Sequence, residues 1–196
     1  MIIGLTGSIA TGKSQSSKVF KELGCYVIDA DKISGLLTTK GSKSLKDIVD
    51  NFGTDVLTSQ GYLNRKKLAG IIFNDKQSKK DLERILHPHI IKKINEIIAR
   101  KYKLVDIVVD APLLFEVGLD RICDKIIVIY ADYRLQLKRL VRRDKISKDE
   151  AVKRIALQMP IEDKMKMADI TIDNSSTLSD LKKNIKFIYK ELKQRQ

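Results

Sequence analysis

The sequence predicts a parallel α/β domain, and three observations carry that expectation. Short β-branched runs recur along the chain, helical patterns alternate with them, and a glycine-bearing loop separates the first strand from the first helix. At 196 residues the chain suits one well-packed domain with appendages rather than two domains of ordinary size.

The first strand is the apolar run Met1-Ile2-Ile3-Gly4-Leu5-Thr6. It leads directly into Gly7-Ser8-Ile9-Ala10-Thr11-Gly12-Lys13-Ser14, which spells G-x-x-x-x-G-K-S, the phosphate-binding P-loop. The two glycines let successive backbone N–H groups turn inward at a β-phosphate, and the following helix presents its positive dipole end to the same anion. Lys13 would reach the β- and γ-phosphates, and Ser14 would offer its hydroxyl to the Mg²⁺ that bridges them. ATP or GTP is therefore the expected ligand. The helix runs from Lys13 to about Leu23, with Val19, Phe20 and Leu23 on one face, and Gly24 closes it.

Cys25 to Asp29 reads as the second strand, leading into Asp29-Ala30-Asp31. From Ile33 to Arg100 apolar residues recur at helical spacing, interrupted at Gly53, Gly61 and Pro88, so this stretch is expected to be a largely helical insertion with a helix break at His87-Pro88-His89. Val105 to Asp110 and Lys125 to Tyr130 read as buried parallel strands. Asp132 is the expected N-cap of a helix to Arg143, and Ser147-Lys148-Asp149-Glu150 is a capping box opening a helix that reaches Met159. Asp169 to Asp173 is the last strand, and Leu178, Leu181, Ile185, Ile188 and Leu192 stripe a closing helix. About five strands result.

Composition narrows the function classes. The chain is 43% apolar and 32% charged, with no apolar run approaching a membrane span and no secretory leader pattern, so a cytosolic protein without a membrane partner is expected. Two cysteines without metal or redox spacing read as core thiols. The formal net charge of +13 raises a nucleic-acid reading, but the lysines are spread over most helices, aromatic residues make up 6% and there is no Trp. A basic enzyme acting on polyanionic small molecules explains the charge equally well, and no nucleic-acid partner is expected.

Several residues carry candidate chemistry. Asp31 follows the second strand at the edge where ligands gather in an open α/β sheet, and a carboxylate there can take the proton of an attacking hydroxyl. The alternative is a helix N-cap, and spacing alone does not divide the two duties between Asp29 and Asp31. Asp110 ends a hydrophobic strand, as expected of a carboxylate that holds Mg²⁺ directly or through water, and Glu116 is a weaker candidate for a metal or substrate role. Arg139, Arg142 and Arg143 stand at i, i+3 and i+4 of one helix, either as a solvated basic face or as cations that neutralise a transferring phosphoryl group beneath a lid.

In this order the pieces resemble the dephospho-CoA kinase family over nearly the whole chain. The resemblance rests on Gly4 to Gly7 entering the P-loop, Val27-Ile28-Asp29-Ala30-Asp31, Leu86-His87-Pro88, Asp110-Ala111-Pro112-Leu113-Leu114-Phe115-Glu116, Gln136 to Arg139 with Arg142-Arg143-Asp144, Gln158-Met159-Pro160, and Ala168 through Asn174. It implies a nucleotide-kinase-like P-loop fold: a five-stranded parallel sheet with helices on both faces, its core at about 1–32, 104–131 and 166–196. A helical dephospho-CoA-binding part at about 33–103 and a helical lid at about 132–165 complete the expected single domain. It also implies phosphorylation of the ribose 3′-hydroxyl of dephospho-CoA by Mg-ATP. Asp31 matches the catalytic base, and Lys13, Ser14 and the loop from Ser8 through Gln15 (Ser8, Ile9, Ala10, Thr11, Gly12, Lys13, Ser14, Gln15) match the ATP site. Arg139 and Arg143 match lid positions, and Asn174 an adenine-side loop. Ser8, Ala10, Thr11 and Gln15 depart from the commonest family spelling, which has glycine, glycine, serine and threonine. A nucleoside or nucleotide kinase is the nearest rival. No N/T-K-x-D motif supports a regulatory GTPase.

Overall fold

A computed structural model of the chain describes residues 1–194. The last two residues of the expected 166–196 core segment lie outside the described residues. The chain divides into two compact units, one formed by Met1–Ile28 with Lys101–Gln196 and the other by Asp29–Arg100.

The first unit holds the sheet. Its strands are β1 (Ile2–Gly7), β2 (Tyr26–Asp29), β3 (Ile107–Asp110), β4 (Lys125–Tyr130) and β5 (Ile170–Asp173), in the order β2-β3-β1-β4-β5. β1 runs parallel to β3 with Leu5 opposite Asp110, and parallel to β4 with Gly7 opposite Ile129. β4 runs parallel to β5, Tyr130 facing Asp173. The chain leaves β1 and returns on both sides of it, so a crevice opens at the carboxyl end of β1, where ligands bind in open α/β sheets.

Period-two alternation sorts the strand side chains between the faces. Ile3, Leu5, Val108, Ile127, Ile129 and Ile172 face one side, where they pack with Val19 and Phe20 of α1 (Lys13–Glu22) and with Leu181, Ile185 and Leu192 of α9 (Leu178–Gln194). Ile107, Val109, Ile126 and Val128 are also buried, which is why these strands read as continuous apolar runs. On that second face a Cβ at Gly4 would lie 2.9 Å from both Cys123 Sγ and Leu114 Cδ2, so glycine makes room there. Cys123 has its thiol pushed up to about 12 by burial and then by Asp120 and Asp124, and Cys25 is likewise raised, first by burial. Neither is poised as a thiolate.

At the opposite end of the sheet Asp106, with a 7% exposed side chain, accepts from Tyr189 Oη at 2.7 Å, from Lys193 Nζ at 3.0 Å and from the Met1 amino group at 3.0 Å. Burial pushes its carboxyl up, but the hydrogen bonds from Tyr189, Met1 and Lys193 outweigh it and hold the group below the ordinary carboxylate range. A depressed carboxylate stabilises the fold above its unfolded pKa, and that contribution is lost as pH falls below about 4 through the folded value. Asp106→Asn should therefore cost about 2 kcal/mol at pH 7 and flatten the acid limb of the stability profile, as thermal melts between pH 7 and 3 would read. An unchanged acid limb would remove Asp106 from that role.

The second unit is helical: α2 (Ala30–Leu37), α3 (Lys43–Phe52), α4 (Arg65–Asn74) and most of α5 (Lys76–Lys101). Ser42 caps α3 by accepting from Leu45 N, and Asn64 caps α4 by accepting from Lys67 N. Ile48, Val56 and Leu68 form its core, flanked by Phe52, Ile71, Leu82 and Ile85. The expected break at Pro88 is corrected: Pro88 lies inside the 26-residue α5. Carrying the helix through proline forfeits one backbone bond at about 3 kcal/mol. Burial of Ile90 and Ile94 just beyond it, and a 3.0 Å bond between His89 Nε2 and Asp47 Oδ2, offset that cost.

Candidate functional site

α6 (Tyr133–Asp144) starts under the Asp132 cap, whose carboxylate accepts from Arg134 N and Leu135 N. α7 (Lys148–Ala156) starts at Ser147, which accepts from Glu150 N, while the Glu150 carboxylate turns to Arg154 Nε at 3.1 Å rather than completing the box. α7 also ends at Ala156 rather than at Met159. The residues that follow turn toward the P-loop before α8 (Ile161–Lys166) begins.

The loop after β1 carries its own conformational signature. Gly12 has φ 105°, and a Cβ there would overlap Asn174 Nδ2; a Cβ on Gly7 would overlap Ile129 O. Ala10 adopts φ 62°, a left-handed conformation that costs a non-glycine residue about 1–2 kcal/mol. Thr11 Oγ1 donates to Ser8 O at 2.9 Å, closing the loop on itself. The amides of Ala10, Gly12, Lys13 and Ser14 have no acceptor among the described residues. Four unmatched donors at the start of a helix form an anion cradle.

Around this cradle the sheet brings together residues far apart in sequence. Lys13 Nζ pairs with Asp110 Oδ1, and Ser17 Oγ, one turn further along α1, donates to Asp110 Oδ2. The carboxylate is buried, so both oxygens are matched by a cation and a hydroxyl. Asn174, at the end of β5, is buried and donates from Nδ2 to Thr11 O at 2.8 Å, while its own carbonyl accepts from Arg139 Nη1 at 2.9 Å. Gly12→Ala would drive a Cβ into that buried amide and demand a positive φ of alanine. Loss of ATP binding by at least about tenfold, with about 2 kcal/mol of stability, is the expected result in a titration and a melt. A Gly12→Ala variant that binds ATP normally would contradict the tight packing of loop on Asn174.

Arg143 donates to the neighbouring Asp144 at 2.7 Å, and this bond, with Arg154 on the same carboxylate, holds Asp144 below the ordinary carboxylate range. Glu116 accepts from Lys164 Nζ at 3.0 Å and from Met159 N at 3.3 Å; Lys164 is fully buried and also donates to Pro112 O. In the second unit Asp29 accepts from Lys32 N and is the N-cap of α2, which places Asp31 in the first turn of that helix, exposed. Ser14 and Gln15 are exposed on the first turn of α1. Sequence reading missed Ser17, Gln136, Gln158 and Lys164. The motif fragments around Gln136 and Gln158 stood in the family pattern without a role, and Ser17 and Lys164 carry no local signal.

The sequence model of the family described as dephospho-CoA kinase matches residues 1–180. The chain belongs to the dephospho-CoA kinase family. Its relatives include the dephospho-CoA kinase of Fusobacterium nucleatum, 44% identical over 94% of this chain and 95% of that one. Among solved structures, the dephospho-CoA kinase of Campylobacter jejuni is 34% identical with a TM-score of 0.73, covering 97% and 96% of the two chains. A Thermus thermophilus crystal structure superposes with a TM-score of 0.83 at 28% identity over 98% and 97%. Membership of this family makes the chain a kinase with the P-loop kinase fold that the strand order and loop describe. Among the described residues no helix is long and apolar enough to cross a membrane.

Proposed function

We propose that this chain transfers the γ-phosphoryl group of ATP to the ribose 3′-hydroxyl of dephospho-CoA, giving coenzyme A in the last step of its biosynthesis. The observation that carries this reading is the family match across residues 1–180, and the anion cradle at the sheet's carboxyl edge is the chemistry it needs.

The free amides of Ala10, Gly12, Lys13 and Ser14 grip phosphate oxygens, adding the dipole of α1 to their hydrogen bonds. Lys13, whose own amide belongs to this cradle, supplies a positive charge to the transferring group. Its partner Asp110 keeps the ammonium in place between turnovers. The donor set suits a hard divalent ion. Among the described residues no group of three or more His, Cys, Asp or Glu forms an all-protein cage, whereas Ser14 carries an exposed hydroxyl on the first turn of α1 and Asp110 a carboxylate bonded to Lys13 of the same loop, the sparse oxygen set that Mg²⁺ uses beside phosphates and water. Mg²⁺ bound there with the nucleotide would spread the charge of the β- and γ-phosphates. Asp31 accepts the proton of the attacking 3′-hydroxyl as the new P–O bond forms and the bond to ADP breaks. Arg139, tied to Asn174, and Arg143 near the end of α6 supply further positive charge, and Asn174 contributes to the adenine side. Residues 132–165 act as the lid, and the helices of 33–103 hold dephospho-CoA.

An ADP-release assay with Mg-ATP, run against dephospho-CoA, adenosine, AMP, CMP and no acceptor with the product weighed by mass spectrometry, tests the reading. Stimulation by dephospho-CoA alone, with a 3′-phosphorylated product, is expected. Stimulation by a nucleoside or nucleotide instead would discard the acceptor while keeping the fold and the loop chemistry.

A further inference from the structure

Ser8 is buried at 5% exposure, and its hydroxyl joins two side chains that come from the far half of the chain. Gln136 of α6 donates from Nε2 to Ser8 Oγ at 2.9 Å and to Ile9 O at 2.8 Å. Gln158, between α7 and α8, accepts at Oε1 from Ile9 N at 2.8 Å and from Ser8 Oγ at 3.1 Å. The peptide groups of Ile9 determine the polarity of this arrangement. A carbonyl can only accept, so Gln136 must present its NH₂; an amide N–H can only donate, so Gln158 must present its oxygen. What remains between the two amides needs a group that accepts from one and donates to the other. A hydroxyl does both; glycine or alanine does neither.

Apolar contacts reinforce the same junction. Ile9 and Ala10 pack against the small core of the helical hairpin, with Leu137, Leu140, Ala151 and Ile155. Immediately after the clamped Ile9, Ala10 takes its left-handed φ of 62°, a conformation that persists where the surroundings over-determine it. The amides that remain unmatched, those of Ala10, Gly12, Lys13 and Ser14, follow directly.

We infer that Ser8 is a positioning residue: its hydroxyl ties Gln136 and Gln158 into one clamp on the Ile9 peptide groups, and the clamp sets the turn at Ala10 from which the phosphate-gripping amides project. Ser8 acts through the two glutamines rather than on the nucleotide. The base of α6 and the turn after α7 are thereby anchored to the loop, so any lid motion belongs to the hairpin's distal end. The consequence for ATP rests on the kinase reading above; the clamp itself does not.

Hydrogen exchange and calorimetry on the nucleotide-free full chain test this, with Ser8→Ala, Ser8→Gly, Gln136→Met and the Ser8→Ala/Gln136→Met double variant. Loss of the bridging bonds should speed amide exchange at Ile9 about tenfold and leave β1 and β4 unchanged, with ATP Kd rising about fivefold. The double variant should be within twofold of Gln136→Met alone, because both substitutions break one unit. In turnover, the KM for ATP should rise while kcat and the acceptor KM stay within twofold. Unchanged exchange at Ile9, uniform acceleration through β1 and β4, or additive effects in the double variant would each overturn the clamp. Failure of the wild-type chain to phosphorylate dephospho-CoA, with the Ile9 exchange pattern intact, would remove the functional reading and leave the clamp standing.

Discussion

Asp31→Asn is expected to lower kcat by about 10²-fold or more while ATP affinity stays within about threefold. Asparagine matches aspartate in shape and hydrogen-bonding reach but cannot take up the hydroxyl's proton, so the substitution isolates that one step. The structure makes the experiment clean in another respect. The capping of α2 falls on Asp29, whose carboxylate accepts from Lys32 N, and Asp31 sits one position inside the helix. Replacing Asp31 therefore leaves the cap of α2 in place. A collapsed kcat with ATP affinity intact would identify the loss as chemical. A variant turning over within threefold of the native chain would take the proton-accepting role away from Asp31, and a large loss of ATP affinity would point to the metal or the phosphates instead.

Lys13→Met is expected to lower kcat/KM for ATP by about 10³-fold, the upper end of what removal of one preorganised charge-stabilising donor costs. It should also destabilise the fold. Asp110 is buried and shares its oxygens between Lys13 and Ser17, so losing the ammonium leaves a carboxylate with a hydroxyl as its remaining side-chain partner. Breaking one half of a buried pair costs up to about 3–5 kcal/mol, and partial exposure of Lys13 reduces this to about 2. The two consequences separate in the Lys13→Met/Asp110→Asn double variant, where the uncompensated charge is gone. Its melting temperature should recover most of the loss while activity stays at the single-variant level or below. Recovery of activity along with stability would mean that Lys13 serves the fold alone.

Much of this molecule is legible along the chain. The P-loop spelling, the β-branched runs of β3 and β4 and the stripe of α9 from Leu181 to Leu192, though not the exposed Leu178 before it, are local patterns, because side-chain period and backbone conformation are coupled within a few residues. Ser147 and Asp132 announced their helices for the same reason: a cap is a contact between residues two or three apart. Pro88 misled because its cost is also local, whereas the burial of Ile90 and Ile94 that repays it is not.

By itself, then, the sequence determined the order of the strands along the chain, the anion-binding loop and the family. The folded structure decided that the cap of α2 is Asp29, that Asp110 is shared by Lys13 and Ser17, and that Asn174 and two glutamines brace the loop. These are hydrogen bonds across 90 or more residues in all but the first case. No periodicity reports such pairings, since it is the sheet order, with β1 between β3 and β4, that brings their ends to one edge and lets buried polar groups find each other.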